Sequence, residues 1–188
     1  MIEKQTFYDS DCLSSFLIID EGSILKKLFK EIMLPKQVYE ELIYEGTPEN
    51  IKINLKNLIE ENFVKIIDID IGTVEYMNYK NLINGNLNKK IGKGEASAIS
   101  LAIQNKGILA SNNFNDIKYY VDTYELPLLT TAYILGLLVD KKFIKKEKAN
   151  SMWTEMLKYK RKLPNSSFNE YYEKQYEKDY NDYGKRIK

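Results

Sequence analysis

The chain has 188 residues, of which 44% are hydrophobic and 29% charged, a composition typical of one soluble globular domain with an elaboration. It contains no histidine and a single cysteine, Cys12. These counts exclude Ser-His-Asp and Cys-His catalysis, an internal disulfide, and metal sites built from histidine or several cysteines. Catalytic chemistry must therefore come from carboxylate, amide, hydroxyl and amine groups.

Apolar runs in the first half of the chain predict three strands with helices between them. The strands are expected at residues 6–8, 32–34 and 64–69. Pro35 suits the first turn of a helix that continues through Val38 and Leu42. Helical spacing is also predicted around residues 24–29, 51–63 and 74–83.

The second half continues the alternation of strands and helices. The clearest helix is predicted at residues 95–104 and ends before Gly107. Two further strands are expected at residues 108–111 and 126–130, followed by helices at 116–124 and 132–139. This order predicts a parallel sheet covered on both faces, with ligands bound outside the carboxyl ends of the strands.

The last part of the chain differs in charge and predicts a separate C-terminal extension. Residues 1–140 hold 14 basic and 20 acidic side chains, a net charge of −6, whereas residues 141–188 hold 14 basic and 7 acidic ones, a net charge of +7. A helix is predicted at residues 145–162. We therefore predict one domain at 1–140 and a basic, tyrosine-rich helical extension at 141–188, packed on the domain or on a partner.

Four tyrosines at helical spacing form one stripe of that extension. The spacing predicts a single helix whose stripe covers the body of the protein or a second subunit, and the alternative is an aromatic platform for single-stranded bases. If the stripe covers a second subunit, the protein would be a homodimer. The stripe consists of Tyr172, Tyr176, Tyr180 and Tyr183.

Carboxylates lie near the ends of the predicted strands and helices. Asp9 and Asp11 follow the first strand, and Glu41 lies in the helix after the second. Glu95 opens the helix before the fourth strand, and Asp116 opens the helix after it. Clustered carboxylates cost free energy unless they are protonated or share a cation, and Mg²⁺ or Mn²⁺ prefers oxygen ligands. Taken singly, first-turn acids such as Glu95 and Asp116 are also explained as helix caps.

A metal held in this way predicts phosphodiester hydrolysis, because a bound cation activates water and neutralises phosphate charge without histidine. Basic side chains near the acids and in the extension are candidate contacts with nucleic-acid phosphates, although lysines in loops are also explained as solvated surface. These candidates are Lys89, Lys90, Lys93, Lys158, Lys160, Arg161 and Lys162.

Five segments, in order, resemble the motifs of PIN-domain nucleases, including the VapC-like toxin ribonucleases. They are Tyr8-Asp9-Ser10-Asp11-Cys12-Leu13, residues 35–42 with Glu41 before Leu42, residues 92–102 with Gly94-Glu95-Ala96, residues 110–117 with Ser111, Asn113 and Asp116, and residues 128–138 with Gly136. The resemblance covers roughly residues 5–140, and the third segment is the most specific.

The resemblance implies a three-layer α/β/α sandwich with a central, mostly parallel five-stranded sheet. It also implies a Mg²⁺- or Mn²⁺-dependent ribonuclease, in many relatives the toxin of a toxin–antitoxin pair with a cognate antitoxin as partner. By motif, Asp9, Glu41, Glu95 and Asp116 would be the catalytic acids, with Asp9, Glu95 and Asp116 as metal ligands. Asp11, Ser111 and Asn113 would support them.

The chain departs from the commoner motif residues at four positions, where Ser10, Asp11, Glu95 and Ile117 replace Thr, Asn, Asp and Phe. Asp11 adds charge and Glu95 is longer by about one methylene, and neither of these two changes removes a ligand. Two alternatives are kept: a non-catalytic PIN-like binding or scaffold module, and a haloacid-dehalogenase-type phosphatase using Asp9 and Asp11.

The N-terminus predicts a cytoplasmic protein. Residues 1–6 lack the basic start and apolar run of a secretory signal. No window approaches the ~18 consecutive apolar residues of a membrane-spanning helix, so we expect no membrane partner.

Overall fold

The fold is built around one five-stranded parallel sheet, as predicted. A computed structural model describes residues 1–187. The strands are β1 (Thr6–Tyr8), β2 (Ile32–Pro35), β3 (Val64–Ile67), β4 (Ile108–Ala110) and β5 (Leu128–Leu129), in the order β3-β2-β1-β4-β5. The chain builds outward from β1 to β3 and then crosses to the other side of β1. The switch in strand order therefore lies between β1 and β4, where parallel sheets open a crevice at their carboxyl ends.

Helices cover both faces of the sheet and give the predicted three-layer α/β/α sandwich. They are α1 (Ser10–Leu17), α2 (Lys36–Leu42), α3 (Glu49–Glu60), α4 (Val74–Asn84), α5 (Lys93–Gln104), α6 (Phe114–Thr123), α7 (Thr131–Asp140), α8 (Lys146–Lys158), α9 (Phe168–Lys174) and α10 (Tyr176–Asp182), with 3-10 helices at Gly22–Lys27 and Gly184–Ile187. None of the helices within residues 1–187 combines the length and the hydropathy needed to cross a membrane.

Alternating strand residues divide the hydrophobic core into two parts. Tyr8 and Ala110 face a core shared with α1, α3, α7, α8 and α9. Phe7 and Leu109 face the other core, which is formed with α4, α5 and α6. Because successive side chains of a strand point to opposite faces, short strands can serve both layers.

Helix α1 is absent from the predicted elements. Serines interrupt its apolar residues, and residues 12–17 are nevertheless all buried. The helix begins directly after β1 and is capped by Asp9, whose side chain accepts a hydrogen bond from the Ser10 amide. Burial on several sides, rather than one apolar stripe, stabilises this helix.

Several predicted bounds are corrected by the structure. Strands β3 and β5 are shorter than predicted, and α6 begins two residues earlier, at Phe114. The helix predicted at residues 145–162 ends at Lys158. Lys160 then adopts a left-handed conformation with φ of 57°, which turns the chain so that Arg161 and Lys162 follow in a loop.

The tyrosine stripe packs on the body of the protein, but the prediction of a single helix is wrong. The backbone at Gln175 leaves helical geometry and separates α9 from α10. Tyr176 stacks on Tyr172 with ring centroids 4.9 Å apart and packs on Tyr133 of α7 at 5.4 Å. Gly136 permits this contact, since a Cβ there would lie 2.4 Å from the Tyr176 ring.

The C-terminal segment also contributes fully buried side chains to the first core. Trp153 of α8 stacks on Tyr171 at 5.6 Å and contacts Phe168 edge-on at 6.0 Å. The indole Nε1–H of Trp153 donates to the carbonyl oxygen of Asn165. These contacts join the segment to the sandwich, while the predicted division at residue 140 stays a prediction.

Candidate active site at the carboxyl edge of the sheet

Asp9 occupies the crevice between β1 and β4. The residue follows β1 directly, and its side chain is only 2% exposed. One carboxylate oxygen accepts the Ser10 amide at 2.6 Å, and the other accepts the Ser111 hydroxyl at 2.9 Å. Ser111 follows β4 directly and is also buried. The two strands that flank the switch point thus position one acid and its hydroxyl partner.

Asn113 joins two further acids that lie beside this pair. Its side-chain amide donates to Glu95 Oε1 and to Asp116 Oδ2, each at 2.6 Å. Its backbone amide donates to Ser111 Oγ at 3.3 Å. Asn113 therefore links the acids on α5 and α6 to the hydroxyl that binds Asp9.

Glu41 reaches the N-terminus of α5 from α2. Its Oε1 accepts the backbone amide of Gly94 at 3.1 Å. A Cβ at position 94 would lie 2.7 Å from both carboxylate oxygens, so glycine is what allows this close approach. Glu41 therefore binds the residue that precedes Glu95. Both acids lie near the N-terminus of α5, where the helix dipole favours negative charge.

The pKa values of Asp9, Glu95 and Asp116 shift in different directions because their surroundings differ. Burial, and then the charge of Glu95, raises the pKa of Asp9 to about 7, although the Ser111 and Ser10 hydrogen bonds act in the opposite direction. Burial likewise raises the pKa of Glu95, and Asp116 adds to this effect. Asp116 is the exception, since its ion pair with Lys89 lowers its pKa.

Basic side chains of the C-terminal loop lie close enough to act on these acids. The charge of Lys162 contributes to the lowered pKa of Asp116. Burial lowers the pKa of Arg161, and the nearby carboxylate of Asp11 opposes that shift. The Nε atom of Arg161 is buried without a hydrogen-bond partner among residues 1–187. The basic extension and the acidic crevice are therefore neighbours.

The other predicted RNA contacts have varied surroundings. Lys89 is bound to Asp116 and to the Asn115 carbonyl at 2.9 Å, and Lys158 is paired with Glu155 on its own helix. The remaining three candidates are exposed on the surface: Lys90, Lys93 and Lys160.

The oxygen atoms of this crevice are of the kind that hard divalent cations prefer, but the structure does not gather three acids around one point. Within the described residues 1–187, no group of three or more acidic or cysteine side chains is arranged to hold a metal ion. The Asn113 amide lies between Glu95 and Asp116, and the Lys89 ammonium neutralises Asp116. Asp9 and Glu95 fit a Mg²⁺ or Mn²⁺ ion best, because they are oxygen ligands close enough to influence each other's charge and neither forms an ion pair within residues 1–187.

Sequence reasoning overlooked two residues that position this edge. The Asn112 side-chain amide donates to the Thr131 hydroxyl oxygen at 2.9 Å, and the Asn112 side-chain oxygen accepts the Thr131 backbone amide at 2.9 Å. These bonds tie the loop after β4 to the start of α7. Asn112 could have been predicted from its place near the carboxyl end of a strand. The motif resemblance instead pointed to its neighbour, Asn113.

The family is shown by the match of residues 5–177 to a family model described as PIN domain. The chain belongs to the PIN-domain family. No curated protein matches it. The matched region continues beyond the motif segments through α8 and α9 and includes the first residues of α10. Proteins with this domain are generally nucleases, so the acidic crevice of this PIN domain belongs to a nuclease fold.

Proposed function

We propose that this PIN-domain protein is a ribonuclease that hydrolyses phosphodiester bonds of RNA with Mg²⁺ or Mn²⁺. The observation that carries the proposal is the proximity of the buried Asp9 and the half-buried Glu95 at the switch point of the sheet, with no ion pair to either carboxylate within residues 1–187. A bound divalent cation would supply charge neutralisation and an activated water at this position. Asp9 and Glu95 would hold it, with Asp116 as the third predicted ligand.

The remaining residues of the crevice act on these acids or on the substrate. The Ser111 hydroxyl fixes the orientation of Asp9, and the Asn113 amide fixes the orientation of Glu95. Glu41 is the fourth proposed acid, held by the Gly94 amide beside Glu95. Asp11 is exposed and extends the negative charge at the entrance.

Basic residues would bind the RNA backbone next to the acids. Arg161 and Lys162 act on Asp11 and Asp116 respectively, so they are well placed to contact a phosphate at this edge. Lys89 would exchange its ion pair with Asp116 for a substrate phosphate when a cation takes over that carboxylate. A toxin role with a cognate antitoxin, a homodimer and a cytoplasmic location stay predictions.

The experiment compares wild type with Asp9→Asn in cleavage of a fluorescent RNA, with Mn²⁺ or with a chelator. We expect wild type to cleave only with the metal and Asp9→Asn to lose at least about a hundredfold in rate, the scale of removing a group that stabilises transition-state charge. Asp122→Asn is the matched control, because Asp122 lies on α6 and pairs with Lys118 outside the crevice. Equal rates in wild type and Asp9→Asn would refute the proposed catalytic role of Asp9.

A non-catalytic binding module is the second candidate. It is favoured by the compensation of Asp116 by Lys89 and Asn113, which resembles a site already satisfied within the protein. RNA binding without metal-dependent cleavage in wild type would support this module. The phosphatase alternative is set aside because the chain belongs to the PIN-domain family.

A further inference from the structure

A cavity of about 410 Å³ lies at the same edge of the sheet as the acidic crevice. The ends of β4 and β5 contribute Asn112 and Thr130 to its walls, and the first residues of α6 and α7 contribute Phe114 and Tyr133. The C-terminal segment closes the other side. The cavity therefore exists only because α10 and the loop after α8 pack against the sandwich.

The lining combines aromatic rings with a few polar groups. The rings of Phe114 and Tyr183 meet edge-on at 5.8 Å, and Tyr133 adds a third ring. Asp179 and Asp182 of α10 supply carboxylates, and Lys162 and Lys178 supply ammonium groups that can donate to a carbonyl oxygen. Mixed walls of this kind, in a cavity of this size, are typical of sites for small organic groups.

Two residues connect the cavity with the acidic crevice. Asn112 lines the cavity and directly follows Ser111, whose hydroxyl binds Asp9. Lys162 also lines the cavity, and its charge acts on Asp116. A polymer lying with a phosphate in the crevice would thus pass Lys162 before it reaches the cavity.

We propose that this cavity receives one unpaired nucleobase of the RNA, adjacent to the phosphodiester in the crevice; this rests on the proposed function. Unpaired bases bind proteins by packing on aromatic rings and by hydrogen bonds along their edges. The carboxylates of Asp179 and Asp182 only accept hydrogen bonds when ionised. Guanine presents neighbouring N–H donors on one edge, and its carbonyl oxygen can accept from Lys162 or Lys178, so it is the base that this wall favours.

Asp179 already has a partner on one side, which fixes its position. Its Oδ2 accepts the Tyr171 hydroxyl at 2.7 Å, and Tyr171 is fully buried. The Gln175 side chain also hydrogen-bonds to Asp179, and a carboxylate, with about four lone-pair sites, retains acceptor capacity when two hydrogen bonds are made. The buried tyrosine thus holds one acceptor of the cavity in place, while Asp182 is exposed at the end of α10.

The test measures binding of short oligouridine RNAs to the full-length protein by fluorescence anisotropy, in the presence of a chelator so that cleavage is absent. One position at a time carries guanosine or an abasic nucleotide. We expect guanosine at one position to tighten binding on the order of tenfold and the abasic nucleotide to weaken it by a similar factor. Tyr183→Ala should remove both effects, whereas Tyr124→Ala, which changes a tyrosine directly after α6 and outside the cavity, should retain them.

Asp182→Asn serves as a second variant if Tyr183→Ala does not fold. It should reduce the preference for guanosine while the abasic effect stays, since the rings are unchanged. Equal affinity for all RNAs in wild type, or a guanosine preference that survives Tyr183→Ala and Asp182→Asn, would overturn the proposal.

Cleavage of the same RNAs with Mn²⁺ separates this proposal from the proposed function. Cleavage without a positional preference supports the ribonuclease and overturns the base site. A positional preference in binding without any cleavage supports the base site and overturns the catalytic role.

Discussion

Replacing Asp9 with asparagine should stabilise the metal-free protein at alkaline pH. The raised pKa of about 7, against 3.8 for the unfolded side chain, means that the folded protein binds the Asp9 proton more tightly than the unfolded chain does. The contribution of this group to the free energy of unfolding is therefore greatest below pH 4 and is lost as the pH rises through 7. The difference of about three pKa units corresponds to about 4 kcal/mol at pH 8.

Asparagine removes that charge but keeps an oxygen that can accept the Ser10 amide or the Ser111 hydroxyl. We expect Asp9→Asn to exceed wild type in free energy of unfolding by up to about 4 kcal/mol at pH 8, and by much less at pH 4. The assay is urea unfolding followed by circular dichroism across this range, with a chelator present. A difference that is constant with pH would refute the assignment of Asp9 as a buried, uncompensated acid.

The same variants can be followed with metal. Mg²⁺ or Mn²⁺ should raise the free energy of unfolding of wild type, because a ligand that binds only the folded state stabilises it by mass action. Asp9→Asn should show a much smaller increase. Equal stabilisation of wild type and Asp9→Asn by the metal would show that the cation binds at a site without Asp9.

Three further variants test other parts of the structure. Gly94→Ala should push the Glu41 carboxylate from its place and lower RNA cleavage at least tenfold, while the melting temperature stays within a few degrees because alanine favours the helix by ~1 kcal/mol. Lys89→Met should tighten Mn²⁺ binding in calorimetry, because the ammonium competes for a predicted metal ligand. Gly136→Ala should lower the free energy of unfolding in urea by roughly 1 to 3 kcal/mol, because its Cβ would overlap the ring of Tyr176.

Each of these variants has a contradicting result. Gly46→Ala is a control for both glycine variants, since a Cβ there would lie 3.6 Å from its nearest neighbour, Tyr44. An RNA cleavage rate of Gly94→Ala equal to that of wild type would show that Glu41 is not one of the catalytic acids. Unchanged Mn²⁺ affinity in Lys89→Met would indicate that Asp116 is not a ligand, and unchanged stability of Gly136→Ala would show that α10 moves freely on α7.

Much of this fold follows from local sequence patterns, and the misses have identifiable physical reasons. The strands were predictable because short apolar runs end at polar residues such as Asp9 and Ser111. Helix α1 was not, since it is buried on several sides and carries serines within its apolar face. Helical spacing alone does not encode the break at Gln175, across which Tyr172 and Tyr176 still stack.

The site was predictable at the level of residue types but not of their bonds. The motif resemblance predicted Ser111 as a support of the acids, and the adjacency of β1 and β4, which was not predicted, brings its hydroxyl to Asp9. The bridging role of Asn113 and the ion pair of Lys89 depend on side-chain positions in three dimensions. No local pattern distinguishes Lys89 from the exposed Lys90 beside it.

The buried aromatic side chains of the C-terminal segment have a consequence for how the positive charge of this protein acts. A flexible basic tail attracts any polyanion over a range that salt shortens to about 10 Å. Here Trp153, Phe168 and Tyr171 anchor the helices that flank Arg161 and Lys162, so these charges stay at one place on the surface. The segment therefore presents its basic groups at a fixed position beside the acidic crevice, and not as a mobile, general attraction for polyanions.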